Sequence, residues 1–313
     1  MKNNFKNISI IIPIYNEQDS LEMLYSEIKK VVDKNFFNYE IIFIDDGSSD
    51  DSFNILNKIA IDDSKIVIIQ FNRNYGKSDA LNQGFKLAKY DYIVTLDGDL
   101  QDDPHELVTL ISKIEEGWDC VSGWKKNRKD PISKTVPSFF FNKFINFFSG
   151  LNLHDLNCGI KIYRKDCIKT LTIYGGLHRY IPLLLVNNGY KVTECIVNHR
   201  PRVHGKSKYG KSRFFHGIFD FLTISFLNKY FNRPMYFFGF IGLLLSVIGL
   251  AINIYLSILW FNGTSIDNRP LFFLGILLIV VGIQSLSIGL IGELIVNRTG
   301  DKNNKIKKTI NKS

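Results

Sequence analysis

The chain has 313 residues, a formal net charge of +9 and four cysteines, none of which forms a CxxC pair. This cysteine usage does not fit a disulfide framework, and no zinc-finger spacing or RNA-binding aromatic motif accompanies the basic surplus. The length allows one large domain with an attachment, or two modest domains. Much of the basic surplus lies beside apolar segments, which favours membrane and phosphate partners over nucleic acid.

Strands and helices alternate in the first third of the chain. The β-branched run Ile8–Ile14 is typical of a buried strand. The hydrophobic spacing then predicts helices over residues 17–32, 52–60 and 78–88, and strands over residues 40–44, 66–71 and 92–96. This alternation predicts an α/β fold with a mostly parallel sheet and helices on both faces, whose ligands bind at the carboxyl ends of the strands.

Two carboxylates, Asp97 and Asp99, follow the fourth predicted strand. Mg²⁺ and Mn²⁺ favour one or two carboxylates together with substrate phosphates, and such an ion stabilises a departing diphosphate as a Lewis acid. A DxD pair is common in turns and helix caps, so this assignment depends on the motifs around it.

Candidate ligand-binding residues also lie at the ends of the other three predicted strands. They are Pro13 near the end of the first with Tyr15 and Glu17 after it, Asp46 after the second and Lys77 after the third. A carboxylate at this edge can accept hydrogen bonds from a nucleobase or ribose, and a helix N-terminus with a lysine can receive phosphate. The sequence therefore predicts a nucleotide site at this edge.

The acidic turn after the second strand also allows a structural interpretation. Its carboxylates can cap the helix predicted to begin at Ser52. We expect Asp50 or Asp51 to cap this helix, and Asp46 to face the ligand.

Two long apolar segments, residues 235–261 and 271–296, follow the predicted domain. Each is longer than the roughly 20 residues that a membrane-spanning helix needs. Basic residues lie before the first segment and after the second, so the positive-inside rule places the domain and the C-terminal tail in the cytoplasm. The sequence thus predicts a multi-pass protein of the plasma (inner) membrane.

These features predict four regions along the chain. They are a cytoplasmic domain over residues 1–212, a juxtamembrane helix over 213–233, two transmembrane helices over 234–297 and a basic tail over 298–313. Amphipathic patterns at about 139–151 and at 213–233 fit either core packing or the membrane interface, and their many phenylalanines favour the interface.

The motifs together resemble the inverting glycosyltransferases of family 2, which have the GT-A nucleotide-diphospho-sugar transferase fold. The branch resembled transfers sugars to dolichol or undecaprenyl phosphate, and the likeness extends over nearly the whole chain. The matching motifs are Pro13-x-Tyr15-Asn16-Glu17, Asp45-Asp46-Gly47-Ser48, Asn74-Tyr75-Gly76-Lys77 and Asp97-Gly98-Asp99-Leu100-Gln101-Asp102.

The resemblance implies a role for each matching residue. Nucleotide-sugar contacts would come from Pro13, Tyr15, Glu17, Asp46, Lys77 and Asp97, and metal contacts from Asp97, Asp99 and Gln101. Cations for the lipid phosphate or diphosphate would be Lys125, Arg128, Lys134, Arg202, Lys206 and Lys208. Asp99 and Asp155 are the candidate catalytic residues. Asp155 would be an orienting carboxylate or base, and its structural alternative is a loop cap or a salt bridge to Lys161.

The implied reaction is transfer of a sugar, with inversion, from a UDP-hexose or GDP-mannose to a polyprenyl phosphate at the cytoplasmic membrane face. Its cofactor would be Mg²⁺ or Mn²⁺, its partners the donor, the lipid acceptor and the bilayer, and the family is compatible with a homo-oligomer. A phosphate monoester has a second pKa of about 6, so the acceptor is largely ionised at neutral pH and needs little help from a base.

Two other functions fit parts of the sequence. A processive polysaccharide synthase shares the spans and the DxD pair, but the chain lacks the Gln-x-x-Arg-Trp segment typical of such enzymes. A non-catalytic membrane scaffold is opposed by the intact carboxylates. The histidines show no metal-ligand spacing, and for the segment containing His178 a structural role is at least as well supported as a functional one.

Overall fold

The computed structural model describes residues 7–36, 38–126, 153–201, 219, 223, 226, 230, 233–263 and 270–299. The chain divides into two compact units, Met1–Phe221 and Leu222–Ser313. The helix expected at about 139–151, most of that expected at 213–233 and nearly all of the basic tail lie outside the described residues.

The described part of the first unit contains one seven-stranded mixed sheet. Its strands are β1 (Ile8–Ile14), β2 (Tyr39–Asp45), β3 (Ile66–Gln70), β4 (Tyr92–Thr95), β5 (Cys120–Trp124), β6 (Lys161–Arg164) and β7 (Val192–Ile196), in the order β3-β2-β1-β4-β6-β5-β7. β6 runs antiparallel to β4 and β5, and the other pairs are parallel. The carboxyl ends of every strand except β6 therefore lie at one edge of the sheet.

Helices cover both faces of this sheet, as predicted. They are α1 (Leu21–Asn35), α2 (Ser52–Asp62), α3 (Lys77–Leu87), α4 (Glu106–Glu115), α5 (Lys165–Ile168) and α6 (Ile181–Asn187), and a 3₁₀ turn spans Leu177–Tyr180. Ile10 and Ile12 share a buried core with α1 and α4, whereas Ile11 faces Gly84 of α3. Alternate residues of one strand thus pack against opposite layers.

The first helix begins four residues later than expected. The hydrophobic spacing predicts a start at residue 17, but α1 begins at Leu21. The backbone N–H of Glu17 donates to Ser52 Oγ at 3.0 Å, and Ser20 Oγ donates to the carbonyl of Gly98 at 2.8 Å. These contacts hold residues 17–20 in a loop, which the periodicity of α1 alone does not reveal.

The second unit contains two long apolar helices that form a hairpin, α7 (Pro234–Phe261) and α8 (Pro270–Thr299). Both are long and apolar enough to cross a membrane. Glycines line the seam, since a Cβ built on Gly242 would lie 2.6 Å from the carbonyl oxygen of Gly282, and one on Gly249 would lie 2.6 Å from that of Gly275. Small residues of this kind let two apolar helices approach closely.

Candidate active site

A cavity of about 590 Å³ opens at the carboxyl edge of the sheet. Seven residues singled out from the sequence lie along its wall: Pro13, Tyr15, Glu17, Asp46, Lys77, Asp97 and Asp99. Pro13 lies near the end of β1, and the other six follow β1, β2, β3 and β4, which end side by side because these strands are parallel. The fold therefore brings together residues that lie up to 86 positions apart in the sequence.

Hydrogen bonds join the loop after β1 to the loop after β2. Asn16 has a φ of +50°, a left-handed conformation that asparagine tolerates. Its N–H donates to Ser48 Oγ at 2.9 Å, and its Oδ1 accepts from the N–H of Ser49 at 2.8 Å. This reciprocal pairing fixes the neighbouring side chains of Tyr15 and Glu17 at the cavity wall.

Of the two aspartates expected to cap α2, Asp50 makes the contact. Its Oδ1 accepts from the N–H of Ser52, the first residue of α2, at 3.1 Å. Asp51 occupies the N-cap position, where its side chain makes no capping hydrogen bond. The first N–H of α2 is thus bonded by the residue before the N-cap.

Asp46 holds the loop that leads into α3. Its two carboxylate oxygens accept from the N–H groups of Tyr75 and Gly76 at 2.7 and 2.9 Å. The adjacent Gly47 has a φ of +68°, and a Cβ there would lie 2.6 Å from Arg73 Cα. Burial raises the pKa of Asp46, although the two N–H donors oppose that effect. Asp46 therefore both lines the cavity and shapes its neighbouring loop.

Lys77 and Asp97 form an ion pair inside the cavity. Burial alone would raise the pKa of Asp97, but the charge and hydrogen bond of Lys77 outweigh it and, with Lys125 and Lys161, lower the pKa to about 2. Asp97 is consequently ionised at neutral pH. Lys77 is the first residue of α3, so it adds its charge to a helix N-terminus that favours anions.

Asp99 lies on the same wall, and its Oδ1 accepts from the N–H of Gln101 at 3.2 Å. The side chain of Gln101 is not among the described groups that line the cavity. Among the described residues, no three His, Cys, Asp or Glu side chains converge to hold a metal alone. Two carboxylates beside an open cavity fit an ion that takes its remaining oxygens from a bound phosphate.

Two cavity residues, His178 and Arg179, were not assigned a functional role from the sequence. They lie on the 3₁₀ turn, where Ser78 Oγ donates to the carbonyl of Gly175 at 2.8 Å and accepts from the N–H of His178 at 3.1 Å. Burial, and then the charge of Lys77, lower the pKa of His178, so its ring is neutral. In the sequence, the glycine pair Gly175-Gly176 indicates a turn just before these residues. It does not reveal that this turn packs against Ser78 of α3.

Two predicted residues have structural partners outside the cavity. Lys125 Nζ lies 2.8 Å from Asp102 Oδ1, and only 11% of the Lys125 side chain is exposed. Burial alone would lower the pKa of Lys125, but the Asp102 carboxylate raises it. Asp155 is buried, and its Oδ1 accepts from the N–H of Asn157 at 3.1 Å, which is the loop cap considered as its alternative. The other predicted cations, Arg128, Lys134, Arg202, Lys206 and Lys208, lie outside the described residues.

Comparison with known proteins matches residues 9–172 to the family described as glycosyl transferase family 2. The dodecaprenyl-phosphate galacturonate synthase of Rhizobium johnstonii is 35% identical over 294 residues, which cover 92% of this chain and 87% of that one. An undecaprenyl-phosphate 4-deoxy-4-formamido-L-arabinose transferase of Shewanella sediminis is 34% identical over 82% of this chain and 76% of its own length.

Solved structures share the fold at low sequence identity. Glucosyl-3-phosphoglycerate synthase from Mycobacterium tuberculosis, in complex with Mn²⁺, UDP-glucose and phosphoglyceric acid, is 18% identical with a TM-score of 0.56, over 70% of this chain and 79% of that one. Mannosyl-3-phosphoglycerate synthase from Rubrobacter xylanophilus is 14% identical with a TM-score of 0.57, over 70% and 74% of the two chains. These likenesses concern the fold alone.

Proposed function

Because this chain belongs to glycosyl transferase family 2, among the polyprenyl-phosphate sugar transferases, we propose that it moves one sugar from a nucleotide diphosphate to a polyprenyl phosphate with inversion. The observation that carries this proposal is that Asp97, Asp99 and Lys77 line the same cavity as the residues expected to contact the nucleoside. The proposed donors are a UDP-hexose or GDP-mannose. The names of the two relatives add galacturonate and 4-deoxy-4-formamido-L-arabinose as sugars to test.

The carboxylate pair would hold Mg²⁺ or Mn²⁺ together with the diphosphate of the donor. When bound, the ion supplies Lewis-acid stabilisation of the negative charge on the leaving group. Lys77 and Arg179 face the same cavity and add positive charge beside the diphosphate. Gln101 contributes its N–H to Asp99, and contact between its side chain and the metal stays a prediction.

The proposed chemistry is one displacement at the anomeric carbon. An ionised oxygen of the acceptor phosphate forms a bond to that carbon, while the bond from the carbon to the diphosphate oxygen breaks and its electron pair leaves with the nucleoside diphosphate. Because the acceptor is already ionised at neutral pH, no proton has to be removed. Asp155, which caps its own loop, is not needed as a base in this scheme.

The acceptor would approach from the cytoplasmic face of the membrane. Two helices of spanning length support a membrane location, and the basic residues on either side of them support the orientation. Arg128, Lys134, Arg202, Lys206 and Lys208 are proposed to contact the lipid phosphate or the diphosphate.

The direct test is incubation of the purified full-length protein with polyprenyl phosphate and a panel of radiolabelled nucleotide-sugars, with Mg²⁺, Mn²⁺ or EDTA. Metal-dependent, acid-labile label in the organic phase from one donor is the expected result, and it names the sugar. Nucleotide binding without lipid-linked label from any donor would overturn the proposed acceptor. Equal label in EDTA would overturn the metal role.

A further inference from the structure

The chain leaves the cavity just after Asp99 in a strained conformation. Leu100 has a φ of +60° and is buried. A non-glycine residue keeps a left-handed conformation only where the surrounding structure over-determines it. The contacts that hold the next residues in place therefore decide where Asp99 points.

The first of these contacts is made by Asp102, whose side chain is 1% exposed. Its Oδ2 accepts from the N–H of Asp97 at 3.4 Å, and its Oδ1 lies 2.8 Å from Lys125 Nζ. Gly159 packs directly against both carboxylates, because a Cβ there would clash with Asp102 Oδ2 and would lie 2.6 Å from Asp97 Cγ. Asp102 thus ties the backbone of one cavity carboxylate to the residue that follows β5.

The second contact is made by Asp103 with Arg200. Arg200 Nη2 lies 2.8 Å from Asp103 Oδ1, and its Nη1 donates to Glu27 Oε2 at 2.6 Å. The backbone N–H of Arg200 also donates to the carbonyl of Gln101 at 3.0 Å. One arginine therefore binds the backbone and a side chain of the carboxylate loop and anchors both to α1.

We propose that Asp102 and Asp103 are positioning residues that hold the carboxylate loop, with Asp99 facing the metal and the diphosphate. Arg200 lies two residues before Arg202, the first cation assigned to the acceptor in the segment after β7. The Arg200–Asp103 contact thereby joins a residue just before these proposed acceptor-binding cations to the loop that carries Asp99. This inference rests on the proposed function, and it gives Lys125 a positioning role in place of direct contact with the lipid phosphate.

The test compares Arg200→Gln with Arg164→Gln in the full-length, detergent-solubilised protein. Arg164 is the matched control, because it also lies near an aspartate, Asp119 at 4.0 Å, and its Nε donates to the carbonyl of Trp118. We expect Arg200→Gln to weaken binding of UDP or GDP with Mn²⁺ about tenfold or more, as outer contacts of metal sites do. Arg164→Gln should leave binding unchanged, and Arg200→Lys should restore part of it.

A double-variant cycle tests whether the two residues act as one unit. Asp103→Asn combined with Arg200→Gln should weaken Mn²⁺–nucleotide binding by less than the sum of the two single effects, because both changes break the Arg200–Asp103 contact. Lys125→Met should also weaken nucleotide binding. An increase only in the KM for polyprenyl phosphate would instead show that Lys125 contacts the acceptor and would overturn its positioning role.

The outcomes separate this inference from the proposed function. If Arg200→Gln binds Mn²⁺ and nucleotide as tightly as the wild type, the positioning role is overturned, whatever the transfer assay shows. If Arg200→Gln binds them more weakly but the wild type transfers no sugar, the positioning role is supported and the proposed function fails. Absence of Mn²⁺–nucleotide binding by the wild type overturns both.

Discussion

At the residue scale, the two cavity carboxylates differ in their partners. Asp97 is paired with Lys77, whereas the Oδ1 of Asp99 accepts a hydrogen bond from a backbone N–H. Both carboxylates line the same cavity wall. An ion held beside the diphosphate would take an oxygen ligand from Asp99, so loss of that carboxylate should impair transfer.

Asp99→Ala should therefore reduce sugar transfer at least about 100-fold, with membrane insertion unchanged. The comparison is the lipid-linked product formed by equal amounts of membrane-inserted protein. Asp62→Ala is the control, because Asp62 is an exposed residue at the end of α2. More than a few percent of wild-type activity in Asp99→Ala would contradict the metal role.

The ion pair of Asp97 with Lys77 predicts a pH dependence of stability. Because the pKa of Asp97 falls to about 2 in the folded protein, its contribution is fully present above the ordinary aspartate pKa of about 4 and is lost as the pH falls through about 2. Lys77→Met should lower the free energy of unfolding by on the order of 2 kcal/mol at pH 6. The difference from wild type should shrink steadily below pH 4.

Thermal unfolding in detergent across this pH range measures the effect. Lys30→Met, at an exposed position on α1, is the control and should match wild type throughout. If the difference in unfolding free energy between Lys77→Met and wild type stays constant from pH 6 to pH 2, the Lys77–Asp97 ion pair does not account for the destabilisation.

At the element scale, the two apolar helices depend on the glycines along their seam. Gly242 and Gly282 face each other's backbones, since a Cβ on either would lie 2.6 or 2.7 Å from the carbonyl oxygen of the other. Glu293 Oε2 also accepts from the N–H of Met235 at 3.4 Å, near the open end of the hairpin. Helix contact here comes from small residues and a few polar groups, as expected where lipid competes for apolar surface.

Gly242→Ala should force these helices apart and destabilise the hairpin by about 1–3 kcal/mol, the usual cost of overpacking. Gly239→Ala is the matched control, because a Cβ there would meet only the flexible Met235 side chain, at 3.2 Å from its Cε. Thermal unfolding of both variants in detergent is the measurement. Equal unfolding midpoints for Gly242→Ala and Gly239→Ala would show that the seam between the helices is not tightly packed.

At the scale of the whole molecule, the positive-inside rule predicts that the N-terminal domain and the C-terminus share one side of the membrane. An alkaline phosphatase fused to the C-terminus should be inactive, and a fluorescent protein fused there should fluoresce. Fusions after Gly263, between the two helices, should give the opposite pattern. Active phosphatase at the C-terminus would reverse the proposed orientation.

Much of the fold and part of the site follow from the sequence because the signals are local. The run Ile8–Ile14 and the apolar segment near residue 40 each become buried strands, and the motif after each strand reaches the predicted edge. The sequence analysis predicts no strand beyond residue 96, where the structure has β5, β6 and β7. β6 is only four residues long and every residue of β7 is at least partly exposed, so the local patterns of these two strands are weak.

The fold class, the family and seven of the residues along the cavity wall can be predicted from the sequence, because strand periodicity and turn chemistry are set by near neighbours. The partners of the described cations Lys125 and Arg200 follow only from the tertiary structure. Lys125 meets Asp102, and Arg200 meets Asp103 from 97 positions away, because β5 and β7 end at the same edge as β4. Such contacts depend on strand order and direction, which local sequence does not encode.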